Sequence, residues 1–284
     1  MTVPQRPADP ERWFRTRPDS STLARPRLLA RSLIALPDLD EHIGHYENLL
    51  GVPADLRMPI PDFGGLELAA VGNLLLIASS RPFTPIQRRT RYSLIVPHLQ
   101  RQLDLLDGTG TTVLEPPEPI LPGARARVRY PDGTLAELVE HRPWPGERPR
   151  TAVPGTVRTG PRATGIRLLA RHAVADEDFP ATVRLYENLL QTPAHTPTRL
   201  TGPGAVRTAT VGNLLVVGLP TTPADVAQPR TALIMPAHTL APPTTADTPV
   251  LAGNVAAELW SESVQDTFAP PRPVVGPRPG AGHA

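Results

Sequence analysis

The sequence YENLL at residues 46–50 occurs a second time at residues 186–190, 140 positions further along the chain. Two other pentapeptides recur with the same spacing. They are RLLAR, at 27–31 and 167–171, and VGNLL, at 71–75 and 211–215. Three identical pentapeptides with one shared offset indicate that the chain is an internal duplication.

Two looser matches show where the copies differ in length. SLIVP at 93–97 matches ALIMP at 232–236 with an offset of 139. AELV at 136–139 matches AELW at 257–260 with an offset of 121. The second copy is therefore shorter between these two matches, and we expect its last part to be truncated.

Each copy is predicted to contain the same order of strands and helices. In the first copy, a strand at 28–36 leads to the turn and N-cap signal Pro37-Asp38. A helix with apolar Ile43, Tyr46 and Leu50 follows and ends at Gly51. The remaining predicted elements are strands at 66–70, 74–78 and 92–96, a helix at 99–106, and strands at 112–114, 125–130 and 134–139. This order favours an α+β fold of tandem βαβββ modules, four modules in two repeats, with the last one truncated.

Proline marks the predicted domain boundaries. Many of the 38 prolines lie in the first 26 residues, between 143 and 161, and from 270 onward. Such segments are typical of extended or disordered chain. We therefore predict a disordered arm at 1–25, a first domain at 26–144, a linker at 145–163, a second domain at 164–263 and a disordered tail at 264–284.

Composition excludes several functions. A net charge of +2 and the lack of a basic run argue against nucleic-acid binding. No apolar run approaches the length of a membrane span, and no signal peptide is recognisable, so we expect a cytoplasmic protein without a membrane partner. The chain has neither Lys nor Cys, so Schiff-base and thiol chemistry are excluded.

Both copies resemble the vicinal-oxygen-chelate superfamily, which comprises glyoxalases, bleomycin-resistance proteins and extradiol dioxygenases. The resemblance rests on Pro37-Asp38-Leu39-Asp40, on Tyr46 to Gly51 at the helix end, and on PDGTLAEL at 131–138. It covers about residues 27–143 and, more weakly, 167–263. It implies that pairs of βαβββ modules form cup-shaped sheets.

In metal-using relatives, four sequence positions supply the metal-binding side chains of each cup. Here only one of the four positions in each cup carries a side chain that can bind a metal. The resemblance places Arg31, Ile77, Arg91 and Glu137 at these positions in the first copy. It places Arg171, Val217, Arg230 and Glu258 there in the second copy. Because Arg stays protonated and Ile and Val carry no donor atom, one carboxylate per cup does not hold a divalent metal usefully. We expect no cofactor, although a divalent metal is retained as a disfavoured alternative.

The same replacement in both cups suggests a different binding chemistry. Two guanidinium groups in a partly dry cup suit a carboxylate, phosphate or acidic phenol. Trp260 shares a strand face with Glu258 and offers a stacking wall. The competing interpretation is that the Arg and Glu residues form an ion-pair network that plugs a cup without function.

The leading functional hypothesis is a glyoxalase- or bleomycin-resistance-like protein that binds a small anionic or phenolic metabolite, in specialised metabolism or resistance. One alternative is a metal-independent isomerase, cyclase or lyase that uses Glu137 or Glu258 as general base. Another is a metal-dependent glyoxalase- or dioxygenase-like enzyme. A scaffold role without any ligand is the fourth. The expected assembly is a monomer or homodimer.

Overall fold

The structure is a computed structural model that describes residues 18–60, 65–120, 123–143, 164–195, 200–201, 205, 207–221, 229–236 and 250–262. The predicted linker and tail lie outside the described residues, as do residues 1–17 of the predicted arm. Residues 18–25 of that arm are described, and Ser20 is packed against the first half. Ser20 is buried and donates its hydroxyl hydrogen to the backbone oxygen of Val96 at 2.7 Å.

The first half consists of two complete βαβββ modules. The first module contains β1 (Arg27–Ala35), α1 (Leu39–Leu50), β2 (Ala54–Ile60), β3 (Leu66–Val71) and β4 (Leu74–Ser79). A short helix, α2 (Pro85–Arg89), leads to the second module. That module contains β5 (Tyr92–Ile95), α3 (Leu99–Leu106), β6 (Thr112–Ile120), β7 (Gly123–Arg129) and β8 (Leu135–Glu140). The sheet order is β2-β3-β4-β1-β5-β8-β7-β6, so the modules join back to back through β1 and β5.

The second half repeats this plan with a shortened last module. It contains β9 (Arg167–Ala175), α4 (Phe179–Leu190), β10 (Ala194–His195), β11 (Leu200–Thr201), β12 (Arg207–Val211) and β13 (Leu214–Leu219). These are followed by β14 (Thr231–Met235), β15 (Val250–Leu251) and β16 (Val255–Glu262). The sheet order is β10-β12-β13-β9-β14-β16-β11, with β15 paired to β16. The α+β class and the tandem βαβββ plan are thereby confirmed.

Strand register confirms the equivalence of the two halves. Ala30 pairs with Leu74 and Tyr92, and Ala170 pairs with their counterparts Leu214 and Thr231. Likewise, Ser93 pairs with Glu137 across β5 and β8, whereas Ala232 pairs with Glu258 across β14 and β16. Glu258 therefore stands where Glu137 stands, as the short AELW match predicted.

Alternation along the strands separates two faces of each sheet. One face packs against the helices in a core that runs through both halves and contains Leu28, Tyr46, Leu168 and Tyr186. The other face lines a cup in each half. The predicted core positions of Tyr46 and Tyr186 are correct, since both side chains are fully buried.

The repeated VGNLL and RLLAR segments meet between the halves. Asn73 donates from Nδ2 to the backbone oxygen of Leu168 at 2.9 Å, and the equivalent Asn213 donates to the backbone oxygen of Leu28. Gly72 and Gly212, which precede these asparagines, both have φ of +57°, a left-handed conformation that favours glycine. The turn of each half thus contacts the first strand of the other.

Two elements of the first half were not predicted from the sequence. β2 carries buried Leu56, Met58 and Ile60 at alternating positions, which was an available strand signal. The helix α2 begins with a capping box between Thr84 and Gln87. Among the described residues no helix is long and apolar enough to cross a membrane.

Candidate functional site

The cup of the first half, called the first cup below, encloses a cavity. Its empty volume is about 730 Å³ when the open mouth is included. β2, β3 and β4 supply an apolar wall that consists of Leu56, Met58, Ile60, Leu66, Leu68, Leu75 and Ile77. The opposite wall, from β7 and β8, is polar, so the cavity has two chemically different sides.

The carboxylate of Glu137 lies at the centre of the polar wall. Its Oε2 accepts a hydrogen bond from Arg31 Nη1 at 3.1 Å and one from Ser93 Oγ at 3.4 Å. Its Oε1 accepts from Arg125 Nη1 at 3.0 Å and from Arg127 Nη2 at 3.2 Å. The structure therefore brings the predicted pair Arg31 and Glu137 together, and it adds two further arginines.

These arginines fix the charge of Glu137. Burial alone would raise its pKa, but Arg31, Arg127 and Arg125 outweigh burial and lower the pKa to about 2. Glu137 is thus an anion at neutral pH whose two oxygens are both engaged. A general base works best when its pKa lies near the operating pH, so this geometry does not favour Glu137 as a base.

Two of the arginines retain unused donors. Arg31 and Arg127 have side chains that are 4% and 2% exposed. The Nε–H of each is buried, and neither has a hydrogen-bond partner among the residues that the structure describes. Because a buried unsatisfied donor is costly, these groups favour an acceptor supplied by water or by a ligand.

Glu115 and Glu118 of β6 contact the same arginines from the rim of the cup. Arg127 Nη1 lies 2.8 Å from Glu115 Oε1, and Arg125 Nε lies 2.5 Å from Glu118 Oε1. Their side chains are 34% and 42% exposed, whereas that of Glu137 is 13% exposed. Since solvent screens the rim carboxylates, the interior of the cup keeps an excess of positive charge.

Sequence reasoning missed Arg125 and Arg127. The signal was available in the alternating arginines of β7, GARARVR at 123–129, which point to one face of the sheet. β7 carries none of the four positions that supply metal ligands in metal-using relatives. The structure shows that β7 supplies most of the positive charge in the first cup.

The cup of the second half, called the second cup below, holds the equivalent ion pair in tighter geometry. Arg171 donates from Nε to Glu258 Oε2 at 2.6 Å and from Nη2 to Oε1 at 3.0 Å. Trp260 Nε1 donates to the same Oε2 at 2.7 Å. The indole ring is 1% exposed and packs with Val217, Leu215 and other apolar residues of this cup. Trp260 thus fills the second cup and does not form an open stacking wall.

The residue equivalent to Trp260 in the first half is Val139, which lines the open cavity. Ile77, the counterpart of Val217, also lines that cavity. A small side chain at position 139 therefore leaves space beside an Arg–Glu pair, and a large one at position 260 occupies it.

The predicted placement of Arg91 and Arg230 inside the cups is wrong. Both side chains line a groove between the two halves. The reason is position along the strand, because Arg91 precedes β5 and Arg230 precedes β14. Each side chain has the correct alternation for the cup but lies beyond the end of the sheet, where Ser93 and Ala232 take the inward position instead.

Comparisons with known proteins found matches among solved structures. No protein-family model matches the chain, and no curated protein matches it. Among solved structures, an uncharacterised protein from Methanosarcina mazei is 33% identical, and the match covers 41% of this chain and 92% of that chain with a TM-score of 0.37. At this identity, and with nearly all of that chain covered, the two chains belong to one family.

Other solved structures share the fold at low identity. A 4-hydroxymandelate synthase variant from Streptomyces coelicolor is 17% identical over 73% of this chain and 70% of that chain, with a TM-score of 0.41. A Mn(II)-bound glyoxalase from Novosphingobium aromaticivorans is 10% identical over 84% and 82%, also with a TM-score of 0.41. The tandem βαβββ plan of the chain is the fold of the vicinal-oxygen-chelate superfamily, which confirms the predicted resemblance at the level of fold. The likeness to these enzymes is one of fold alone.

The donor set of the first cup does not fit a divalent metal. In the first cup the inward positions hold Arg31, Ile77, Ser93 and Glu137, and Glu137 is already surrounded by guanidinium groups. Arginine has no lone pair to donate, and it repels a cation. Among the described residues no group of three His, Cys, Asp or Glu side chains comes together.

Proposed function

We propose that this vicinal-oxygen-chelate protein binds a small anionic or phenolic metabolite in the first cup without a metal. The supporting observation is the cavity itself, in which an apolar wall faces three arginines around a single carboxylate. A planar organic body suits the apolar wall, and an oxygen acceptor suits the arginines.

The hydrogen-bonding groups of the first cup favour a ligand that accepts hydrogen bonds over one that donates them. Four groups already donate to Glu137, so its oxygens offer little further capacity. The unsatisfied groups are the Nε–H donors of Arg31 and Arg127. A carboxylate or phenolate oxygen would satisfy them and would offset the excess positive charge of the interior.

The competing functions receive less support from the site. General-base catalysis by Glu137 conflicts with its lowered pKa, and Glu258 is enclosed by Arg171 and Trp260. Metal-dependent chemistry conflicts with the donor set. A plug without ligand remains the serious competitor, because the first cup contains the ion-pair network that it requires, and the experiment is designed against it.

Isothermal titration calorimetry of the full chain with 4-hydroxybenzoate, in the presence of a chelator, tests the proposal. We expect binding by the wild-type protein and at least a tenfold weaker affinity after Arg31→Gln, a loss of about 1.4 kcal/mol. The matched control is Arg171→Gln, the same change in the filled cup, which should leave the affinity within twofold of the wild type.

A second variant controls for an effect of Arg31→Gln on folding. Val139→Trp places in the first cup the side chain that fills the second, so the probe should no longer bind while the circular dichroism spectrum stays native. Absence of heat with the wild-type protein supports the plug. Unchanged binding by Val139→Trp, or binding that requires an added divalent metal, also contradicts the proposal.

A further inference from the structure

A groove separates the two halves on the side where β9 and α4 approach the turn between β7 and β8. Its empty volume is about 2000 Å³ when the open solvent at its mouth is included. Arg89, Arg91 and Arg230 line it together with His172 and Asp132. Arg230 spans the two halves, since its Nη1 donates to the backbone oxygen of Arg88 at 3.3 Å. The groove is separate from the first cup.

A buried ionisable pair lies in this groove. His172 of β9 is 3% exposed, and its Nε2 is 3.0 Å from Oδ2 of Asp132, in the turn after β7. Asp132 accepts a hydrogen bond from the backbone nitrogen of Thr134 at 2.8 Å. The contact between His172 and Asp132 does not have hydrogen-bond geometry, so neither Nε2 nor Nδ1 of His172 has a hydrogen-bond partner within the part of the chain that the structure describes.

The equivalent residues at the opposite interface show which side chains are sufficient to join the two halves. There, Ser32 is equivalent to His172 and Gly253 is equivalent to Asp132, by the offsets of 140 and 121. Ser32 Oγ lies 3.2 Å from the backbone oxygen of Gly253, and Tyr46 donates to the backbone oxygen of Ala252 at 2.6 Å. A methyl group on Gly253 would lie 2.8 Å from Ile34, so this side is closed.

The duplication therefore provides an internal control. One interface is closed by a serine and a glycine, so a His–Asp pair is not required to join the halves. The other is open and carries His172, Asp132 and three arginines. A buried polar pair that is only partly hydrogen-bonded is costly, and it is retained most easily where a ligand completes its hydrogen bonds. Among the described residues, the carboxylates that line the groove are Asp132, which faces His172, and Asp178 at the start of α4.

We propose that this groove is a second binding site, for a small oxyanion such as a carboxylate or a phosphate monoester. Arg91 and Arg230 provide the charge that attracts the anion. The two ring nitrogens of His172, which lack hydrogen-bond partners among the described residues, offer hydrogen-bonding positions to the ligand or to a water that it holds. The inference is independent of the ligand proposed for the first cup.

Long-range ¹H–¹⁵N spectra of the histidine ring nitrogens in the full chain test this site. The probes are inorganic phosphate and acetate, each titrated against equal ionic strength of chloride, and His172→Gln assigns the His172 signals. We expect a saturable shift of the His172 nitrogens with at least one probe. The double variant Arg91→Gln/Arg230→Gln should weaken that binding at least tenfold, and the phosphate and acetate arms identify the preferred oxyanion.

The controls separate this proposal from that for the first cup. Arg31→Gln should leave the response of His172 unchanged, and Arg91→Gln/Arg230→Gln should leave 4-hydroxybenzoate binding in the first cup within twofold. No saturable shift beyond that produced by chloride would overturn the proposal. An equal shift in the double variant would do so as well, since the arginines would then not hold the anion.

Discussion

The two cups contain the same Arg–Glu pair and differ in what surrounds it. In the first, Glu137 receives three arginines and faces a cavity next to Val139. In the second, Glu258 receives, among the described residues, one arginine and the indole of Trp260, which is buried beside it. The duplicated fold has thus produced one open cup and one closed cup, and an aliphatic-to-aromatic difference at a single position accounts for much of the contrast.

Neighbouring strands account for the rest. β8 pairs along its length with β7, which supplies Arg125 and Arg127. Among the described residues of the second half, β16 pairs on that side only with the short strands β11 and β15. Without the arginines of a long neighbouring strand, the carboxylate of Glu258 is satisfied instead by the Nε1–H of Trp260. The same Arg–Glu ion pair therefore occurs both beside an open cavity and beside a buried indole.

The largest expected effect comes from opening the closed cup. Trp260→Val should lower the free energy of unfolding by about 3 kcal/mol or more, because it leaves a large buried cavity and removes a donor from Glu258. Urea denaturation measures this loss. Trp260→Phe should cost less, and added indole should raise the melting temperature of Trp260→Val alone. A loss below about 1 kcal/mol would show that Trp260 does not hold the second cup closed.

Low pH should weaken the ion pairs around Glu137 in the first cup and thereby destabilise the fold. The pKa of Glu137 is lowered from 4.5 to about 2, so its ionised form stabilises the fold at pH values above 4.5. This stabilisation, on the order of 3 kcal/mol, is lost as the pH falls from 4.5 towards 2. Unfolding measured across this range should be steeply pH-dependent in the wild type. In Glu137→Gln the slope should be smaller, and equal slopes in the two proteins would refute the assignment.

The smallest expected effects concern the contacts that the halves share. Asn73→Ala and Asn213→Ala each remove one side-chain hydrogen bond to the opposite half, to Leu168 and Leu28 respectively. Each should reduce the free energy of unfolding by about 1 kcal/mol. Denaturation of the single and double variants measures whether the two losses are similar and additive. A large difference between them would mean that the halves are joined unequally.

Much of the fold was predictable because it depends on local patterns. The recurrence of RLLAR, YENLL and VGNLL fixes the duplication, and the turn signals at Gly51 and Gly72 fix where elements end. β2 was missed, because Pro53 and Pro59 obscure the alternation of Leu56, Met58 and Ile60. The pairing of Arg31 with Glu137 and of Arg171 with Glu258 was anticipated from the resemblance and is found in the structure.

The sequence by itself determined the duplication and the fold, since both depend on recurring local patterns of residue type. Tertiary structure alone decided which cup is open, which arginines surround Glu137, and that Arg91 and Arg230 line the groove beside His172. The physical reason is that strand alternation specifies the face on which a side chain lies. The curvature of the sheet and the volume of neighbouring side chains then decide whether that side chain fills a cavity, lines it or lies outside it.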